Sequence, residues 1–177
     1  ADLIQREFQG LKVAVCANLP YYITSPIVMK LLEERLPLEH LTVMVQKEAA
    51  ERLCAKPGTR AAGAVTYAVH YYAEPEILFT VQPGSFYPPP KVTSAVIQLR
   101  LHQTPCVQPA DEKAMFRVIR AAFSQRRKTA ANAISAGLAM EKAKVLHAME
   151  QSGIVPTARP EQLTLEQYAQ LSDQLRL

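Results

Sequence analysis

An amide, two backbone carbonyls and an aromatic ring meet in one short stretch, Asn18-Leu19-Pro20-Tyr21. Proline lacks an N–H and biases Leu19 away from the α region, so a ladder or helix cannot absorb all the carbonyls of Leu19 and Pro20. They are expected to stand free as acceptors. Beside them lie the Asn18 side-chain oxygen and the face of Tyr21. The turn therefore offers acceptors for an exocyclic N–H2 group and a platform for a planar ring, a combination that suits an adenine presented edge-on.

A second aromatic, Phe86, stands in a proline-rich loop with Pro88, Pro89 and Pro90, where a stiff backbone can hold a ring at a pocket mouth. A polyproline ligand for an SH3-like partner is the plain alternative for the three prolines. Lys113, Arg117, Arg120 and Arg127 recur at helical spacing, and Arg126 and Lys128 complete the densest positive cluster in the chain. Such a cluster can track RNA phosphates; a solvated helix face is the competing reading. Glu48 and Arg52, four residues apart, read as an ordinary helical ion pair rather than a carboxylate site.

The elements that must position these groups are legible in outline. The apolar run that opens at Val13 and closes at Ala17 reads as a buried parallel strand that delivers Asn18 to its carboxyl end, where open α/β sheets bind ligands. A helix follows, with Ser25 as N-cap and Pro26 first inside, running through Ile27, Val28, Leu31, Leu32 and Leu36 to near Pro37. Residues 41–45 form a second continuous apolar run and a second buried strand, and a helix through Glu48 and Leu53 stops at Lys56-Pro57-Gly58. Strand, helix, strand, helix implies a parallel sheet.

Residues 61–69 are ambiguous, with a helix favoured, leading into a strand over 77–81; residues 92–101 alternate as a half-covered strand antiparallel to it. From Asp111 the pattern is helical: 111–124, about 127–136, 141–152 and 165–175, the last with Thr164 and Gln167 as a capping box. The expected organisation is a sheet domain over 1–102, a linker over 103–110 and a helical domain over 111–177.

Three segments, Asn18-Leu19-Pro20-Tyr21, Gly84 to Val92 and Phe123 to Thr129, together resemble the KsgA/RsmA family of rRNA adenine dimethyltransferases, in the family's order and over essentially the whole chain. The resemblance implies the α/β sheet of a Rossmann-like class I methyltransferase, here its carboxyl-terminal half, followed by a small all-helical domain. It implies an enzyme that uses S-adenosylmethionine to dimethylate N6 of two adjacent adenosines near the 3′ end of 16S rRNA. Asn18, Leu19, Pro20 and Tyr21 would form the catalytic turn. Asn18 would also touch the cofactor, Tyr21 and Phe86 would stack on the flipped base, and Arg117, Arg120, Arg126, Arg127 and Lys128 would meet RNA. Where the family often carries a leucine and a basic residue after the threonine, this chain has Ala130-Ala131. Two rivals share these features: a resistance methyltransferase acting on large-subunit rRNA, and a noncatalytic ribosome-assembly factor on the same fold.

Composition sets the limits. The chain has 177 residues, 20 Lys and Arg against 16 Asp and Glu, and a net charge of +4, which favours a polyanionic partner without requiring one. Cys16, Cys54 and Cys106 are odd in number and unpaired in spacing, which indicates neither a disulfide framework nor a zinc site, and a reduced cytoplasmic setting is expected. No apolar run approaches the roughly 20 residues that span a bilayer. The six glycines are isolated, so no glycine-rich cofactor turn is present. The chain is therefore expected to be the later portion of a longer enzyme, inactive by itself, whose first strand is an open edge prone to self-association.

Overall fold

The computed structural model describes residues 2–125 and 127–177, the side chains of Asp2 and Gln5 excepted. Contacts divide the chain into two compact units: one runs up to Ala55 and resumes over Ala68–Thr104, the other comprises Lys56–Tyr67 and Pro105–Leu177.

In the first unit a short helix α1 (Asp2–Glu7) precedes four strands, β1 (Ala14–Asn18), β2 (His40–Gln46), β3 (Ala73–Val81) and β4 (Ser94–Leu101), in the order β1-β2-β4-β3. β1 and β2 are parallel, whereas β4 lies between β2 and β3 and is antiparallel to both. The β2–β4 register sets Leu41, Val43 and Val45 opposite Leu99, Ile97 and Ala95, all at most 1 % exposed. Each of the larger side chains contributes about 1.5–3 kcal/mol on burial, and Ala95 less than about 1 kcal/mol. Helix α3 (Lys47–Leu53) packs on β2, β3 and β4 and buries Ala50 and Leu53; helix α2 (Thr24–Glu33) buries Val28 and Leu32.

Several expectations are corrected here. β1 is not buried: its residues alternate between exposed and half-exposed, because among the described residues it is hydrogen-bonded along one edge only. β2 is covered on one face, with Thr42 and Met44 turned to the other, so its continuous apolar sequence conceals a two-residue alternation. Ser25 is not the N-cap of α2. A 3-10 turn, Tyr21–Ile23, runs straight into the helix, and Ile23 takes the cap position. The helix ends at Glu33, short of Pro37, because Arg35 adopts the left-handed region with φ 46° and leaves Leu36 outside.

The second unit is built on α5 (Glu112–Ala122), α6 (Ala130–Leu138), α7 (Lys142–Gln151) and α8 (Leu165–Leu175). Helices α5 and α7 each pack on both α6 and α8, enclosing Met115, Val118, Ile119, Ile134, Met149, Tyr168 and Leu171. Asp111 caps α5, its carboxylate accepting from Lys113 N at 2.7 Å and Ala114 N at 3.1 Å. Thr164 and Gln167 form the expected capping box on α8, at 3.2 and 3.0 Å. Helix α6 begins three residues later than its sequence pattern suggested. Thr129 is its cap, accepting from Asn132 N, so Arg127 and Lys128 lie in the preceding loop rather than on a helix.

Residues 56–67 group with the helices rather than with the sheet domain expected over 1–102, although nothing in their sequence marks them so. Their anchor is Tyr67, in the first turns of α4 (Ala64–Tyr72), whose buried ring meets Tyr168 edge-on at 5.1 Å between centroids. Its hydroxyl lies 2.6 Å from the Leu163 carbonyl and accepts from Gly58 N at 3.3 Å. Burial pushes the phenol up to about 12, so it remains a neutral donor.

Candidate active site

At the carboxyl end of β1 the turn and the proline-rich loop close around a cavity of about 430 Å³. Asn18, Leu19, Pro20 and Tyr21 line one side and Phe86, Tyr87, Pro88 and Pro90 another. Five residues picked out from sequence, Asn18, Leu19, Pro20, Tyr21 and Phe86, are thus brought into one concavity of a size usual for small-molecule sites, roughly 300–1,000 Å³.

The turn sorts its own acceptors. The Pro20 carbonyl accepts from Ile23 N and from the Thr24 hydroxyl, both at 3.1 Å. It is therefore occupied, contrary to the expectation that both carbonyls stand free. The Leu19 carbonyl and the Asn18 amide make no hydrogen bond among the described residues. A hydroxyl–hydroxyl hydrogen bond between Tyr21 and the buried Ser94, first residue of β4, fixes the Tyr21 ring across the sheet. Two unspent acceptors and a pinned aromatic face therefore share the cavity wall.

Met44 also lines the cavity and was missed from sequence. It stands directly opposite Asn18 in the β1–β2 register. Its signal was available: it lies near the carboxyl end of a strand parallel to β1, where α/β sheets hold ligands. Tyr87 lines the cavity while remaining fully exposed, whereas Tyr22, its counterpart in the turn, is 84 % exposed and lies outside the lining. The Tyr87-Pro88 peptide bond is cis.

The basic residues belong to the helical unit. Arg117 and Arg120 of α5 line a second cavity, of about 480 Å³, against the end of α6. Arg127 and Lys128 are exposed in the loop between these helices, and Arg126 lies outside the described residues. Twelve of the 20 basic residues but only seven of the 16 acidic ones fall in this unit, a net +5, against −1 for the sheet unit.

Other chemistry finds little support. The three cysteines are free, and among the described residues no cluster of His, Cys, Asp and Glu could hold a metal ion. Burial pushes the Cys54 thiol up to about 11, which removes it as a nucleophile near neutral pH. Glu48 and Arg52 form the expected exposed pair at 3.2 Å. Among the described residues no helix is long and apolar enough to cross a membrane.

A Rossmann-like half-sheet that ends in an acceptor-bearing turn, accompanied by a helical unit, is an architecture of methyltransferases. The family model for ribosomal RNA adenine dimethylase matches residues 2–176, and the chain belongs to that family. It is 47 % identical to the ribosomal RNA small subunit methyltransferase A of Lachnoclostridium phytofermentans, covering 97 % of this chain and 60 % of the relative. The corresponding protein of Alkaliphilus oremlandii is also 47 % identical, over 98 % of this chain and 61 % of its own length. The chain thus spans about three fifths of these relatives. Among solved structures, a dimethyladenosine transferase from Plasmodium falciparum superposes with a TM-score of 0.71 at 24 % identity, over 93 % of this chain and 68 % of that one. The 23S rRNA methyltransferase ErmE superposes with a TM-score of 0.64, also at 24 % identity, over 97 % and 70 %. Both show the same fold.

Proposed function

We propose that this chain carries the adenine-gripping turn and the RNA-binding helices of an enzyme that dimethylates N6 of two adjacent adenosines near the 3′ end of 16S rRNA. The observation that carries this reading is the single cavity in which the unspent Asn18 and Leu19 acceptors meet the rings of Tyr21 and Phe86.

The amine on C6 of adenine is a poor nucleophile because its lone pair is delocalised into the ring. The Asn18 side-chain oxygen and the Leu19 carbonyl can grip its two hydrogens and draw the nitrogen toward tetrahedral geometry, freeing the lone pair. Since the Pro20 carbonyl is already doubly engaged, it serves instead to hold the turn in shape. A base taken out of its stack loses contacts that Tyr21 and Phe86 recover in part, about 1–3 kcal/mol per base. The work of the chain is positioning. No strong base is needed, because the proton can leave to solvent once the nitrogen is alkylated.

S-adenosylmethionine, when bound, supplies the methyl group. The unpartnered Asn18 amide at a strand's carboxyl end fits the methyl-donor side of such a cofactor, and Asn18 would face its methionine part. Among the described residues no glycine-rich turn cradles the remainder, so those contacts fall to sequence that the longer relatives have and this chain does not match. The 177 residues alone are accordingly inactive, the small ribosomal subunit in the cytoplasm is the partner of the longer enzyme, and the open edge of β1 is where copies of this chain would pair.

The test uses the full-length enzyme on purified ribosomal subunits. Asn18→Ala abolishes methyl transfer to small subunits while RNA binding persists, and Phe86→Ala lowers kcat/KM about 5- to 150-fold, the equivalent of one lost stack. A wild-type enzyme that binds RNA but never transfers methyl groups would establish the assembly-factor reading instead. Preferential methylation of large subunits would establish the resistance-enzyme reading.

A further inference from the structure

The cavity at the α5–α6 crossing has two chemically different walls. On one side stand Arg117 and Arg120, both exposed and neither engaged in an ion pair or hydrogen bond among the described residues. On the other is the end of α6 at Gly137, Leu138 and Ala139. There the chain turns left-handed at Ala139, with φ 51°, and the last amides bond back to Ala136 and Ser135. The carbonyls of Gly137 and Leu138 are left without a hydrogen-bond donor among the described residues, as helix C-termini commonly are. Among the described residues no carboxylate lines the cleft.

This arrangement discriminates between ligands. A bare phosphate would gain from the guanidinium groups but would face helix carbonyls and the negative end of the α6 dipole. A nucleotide suits both walls: its phosphate pairs with arginine, its ring can stack on a guanidinium plane, and its exocyclic amine or imino hydrogen can meet the carbonyls. A volume of about 480 Å³ leaves room for a base with its sugar. Beyond Ser124 on the rim, the chain passes through Arg127 and Lys128, which carry positive charge along the path of flanking phosphates. We propose that this cleft receives one unpaired nucleotide of the RNA partner, phosphate on Arg117 and Arg120, base against the end of α6. The proposal rests on the RNA-partner reading above and adds a second nucleotide pocket, separate from the one that holds the reacting adenine.

The test is fluorescence anisotropy of this chain with a labelled eight-nucleotide adenosine RNA and with an abasic strand of the same length and charge, across a salt series. The wild-type chain binds the adenosine strand about fivefold or more tightly than the abasic one, the worth of one stacked base. Replacing both arginines, Arg117→Gln with Arg120→Gln, weakens binding roughly tenfold or more and flattens the salt dependence. Ser124→Phe, which fills the cleft without changing charge, lowers the preference for bases about fivefold or more, leaving what the Tyr21 and Phe86 cavity contributes, and keeps the salt slope; Ser124→Leu, a smaller filler, reproduces this if the first variant misfolds. If the wild-type chain binds both strands equally, or if the filled variants retain the preference undiminished, the arginines merely follow phosphates and the pocket proposal fails while the RNA reading survives. If the wild-type chain binds neither strand, both fail together.

Discussion

Gly137 holds α5 and α6 at their present spacing, and replacing it with alanine tests that spacing. A β-carbon at position 137 would fall 2.8 Å from the Ala121 Cβ and 3.0 Å from its Cα. Carbon atoms prefer about 3.5–4.0 Å, and the Ala121 methyl is fixed to backbone and cannot swing away. The helices must part by several tenths of an ångström, an overpacking that costs about 1–3 kcal/mol. Against it stands the helix propensity of alanine over glycine, at most about 1 kcal/mol, and less in a final turn such as this. The clash wins, and Gly137→Ala is expected to destabilise the helical unit by up to about 2 kcal/mol. Ala121→Gly by itself also destabilises, by about 1–2 kcal/mol from lost propensity and a lost buried methyl. The two together are expected to cost less than their sum by about 1 kcal/mol or more, because each removes the other's obstacle. Urea unfolding followed by circular dichroism gives the free energies, and amide hydrogen exchange on α5 and α6 assigns the loss to this unit rather than to the sheet. A Gly137→Ala protein more stable than wild type by about 1 kcal/mol, or a double variant that is strictly additive, would show that the helices are not in contact there.

Two further outcomes are expected. Tyr67→Phe leaves the Leu163 carbonyl and Gly58 N–H without their partner and lowers stability by about 1–3 kcal/mol, with faster exchange at Gly58; an unchanged melting temperature and unchanged exchange would contradict the buried hydroxyl's role. The open edge of β1 invites pairing between copies, so sedimentation should detect concentration-dependent association that Cys16→Pro suppresses by removing a backbone donor that faces away from β2. A strictly monomeric species at high concentration would refute it.

Much of the molecule was legible from local signals. Asn18, Tyr21 and Phe86 were singled out because their types and neighbours are unusual together, and the cap at Thr164 because a capping side chain acts within three residues of itself. Where local rules competed, they misled. Ser25-Pro26 looks like a helix start, but the turn before it had already begun to wind. Arg127 falls in a helical period, but Thr129 caps α6 after it.

The sequence by itself determined the alternation of strands and helices, the chemistry of the turn and the excess of positive charge in the helical part, all of which depend on residue type and short spacing. Tertiary structure alone decided that β4 inserts between β2 and β3, that Met44 faces Asn18, that Lys56–Tyr67 joins the helices, and that among the described residues the Pro20 carbonyl is engaged while that of Leu19 is not. Each of these is a choice among partners. A side chain carries its own hydrogen-bonding capacity and apolar area wherever it goes, but which distant group it meets is settled only when the whole core packs.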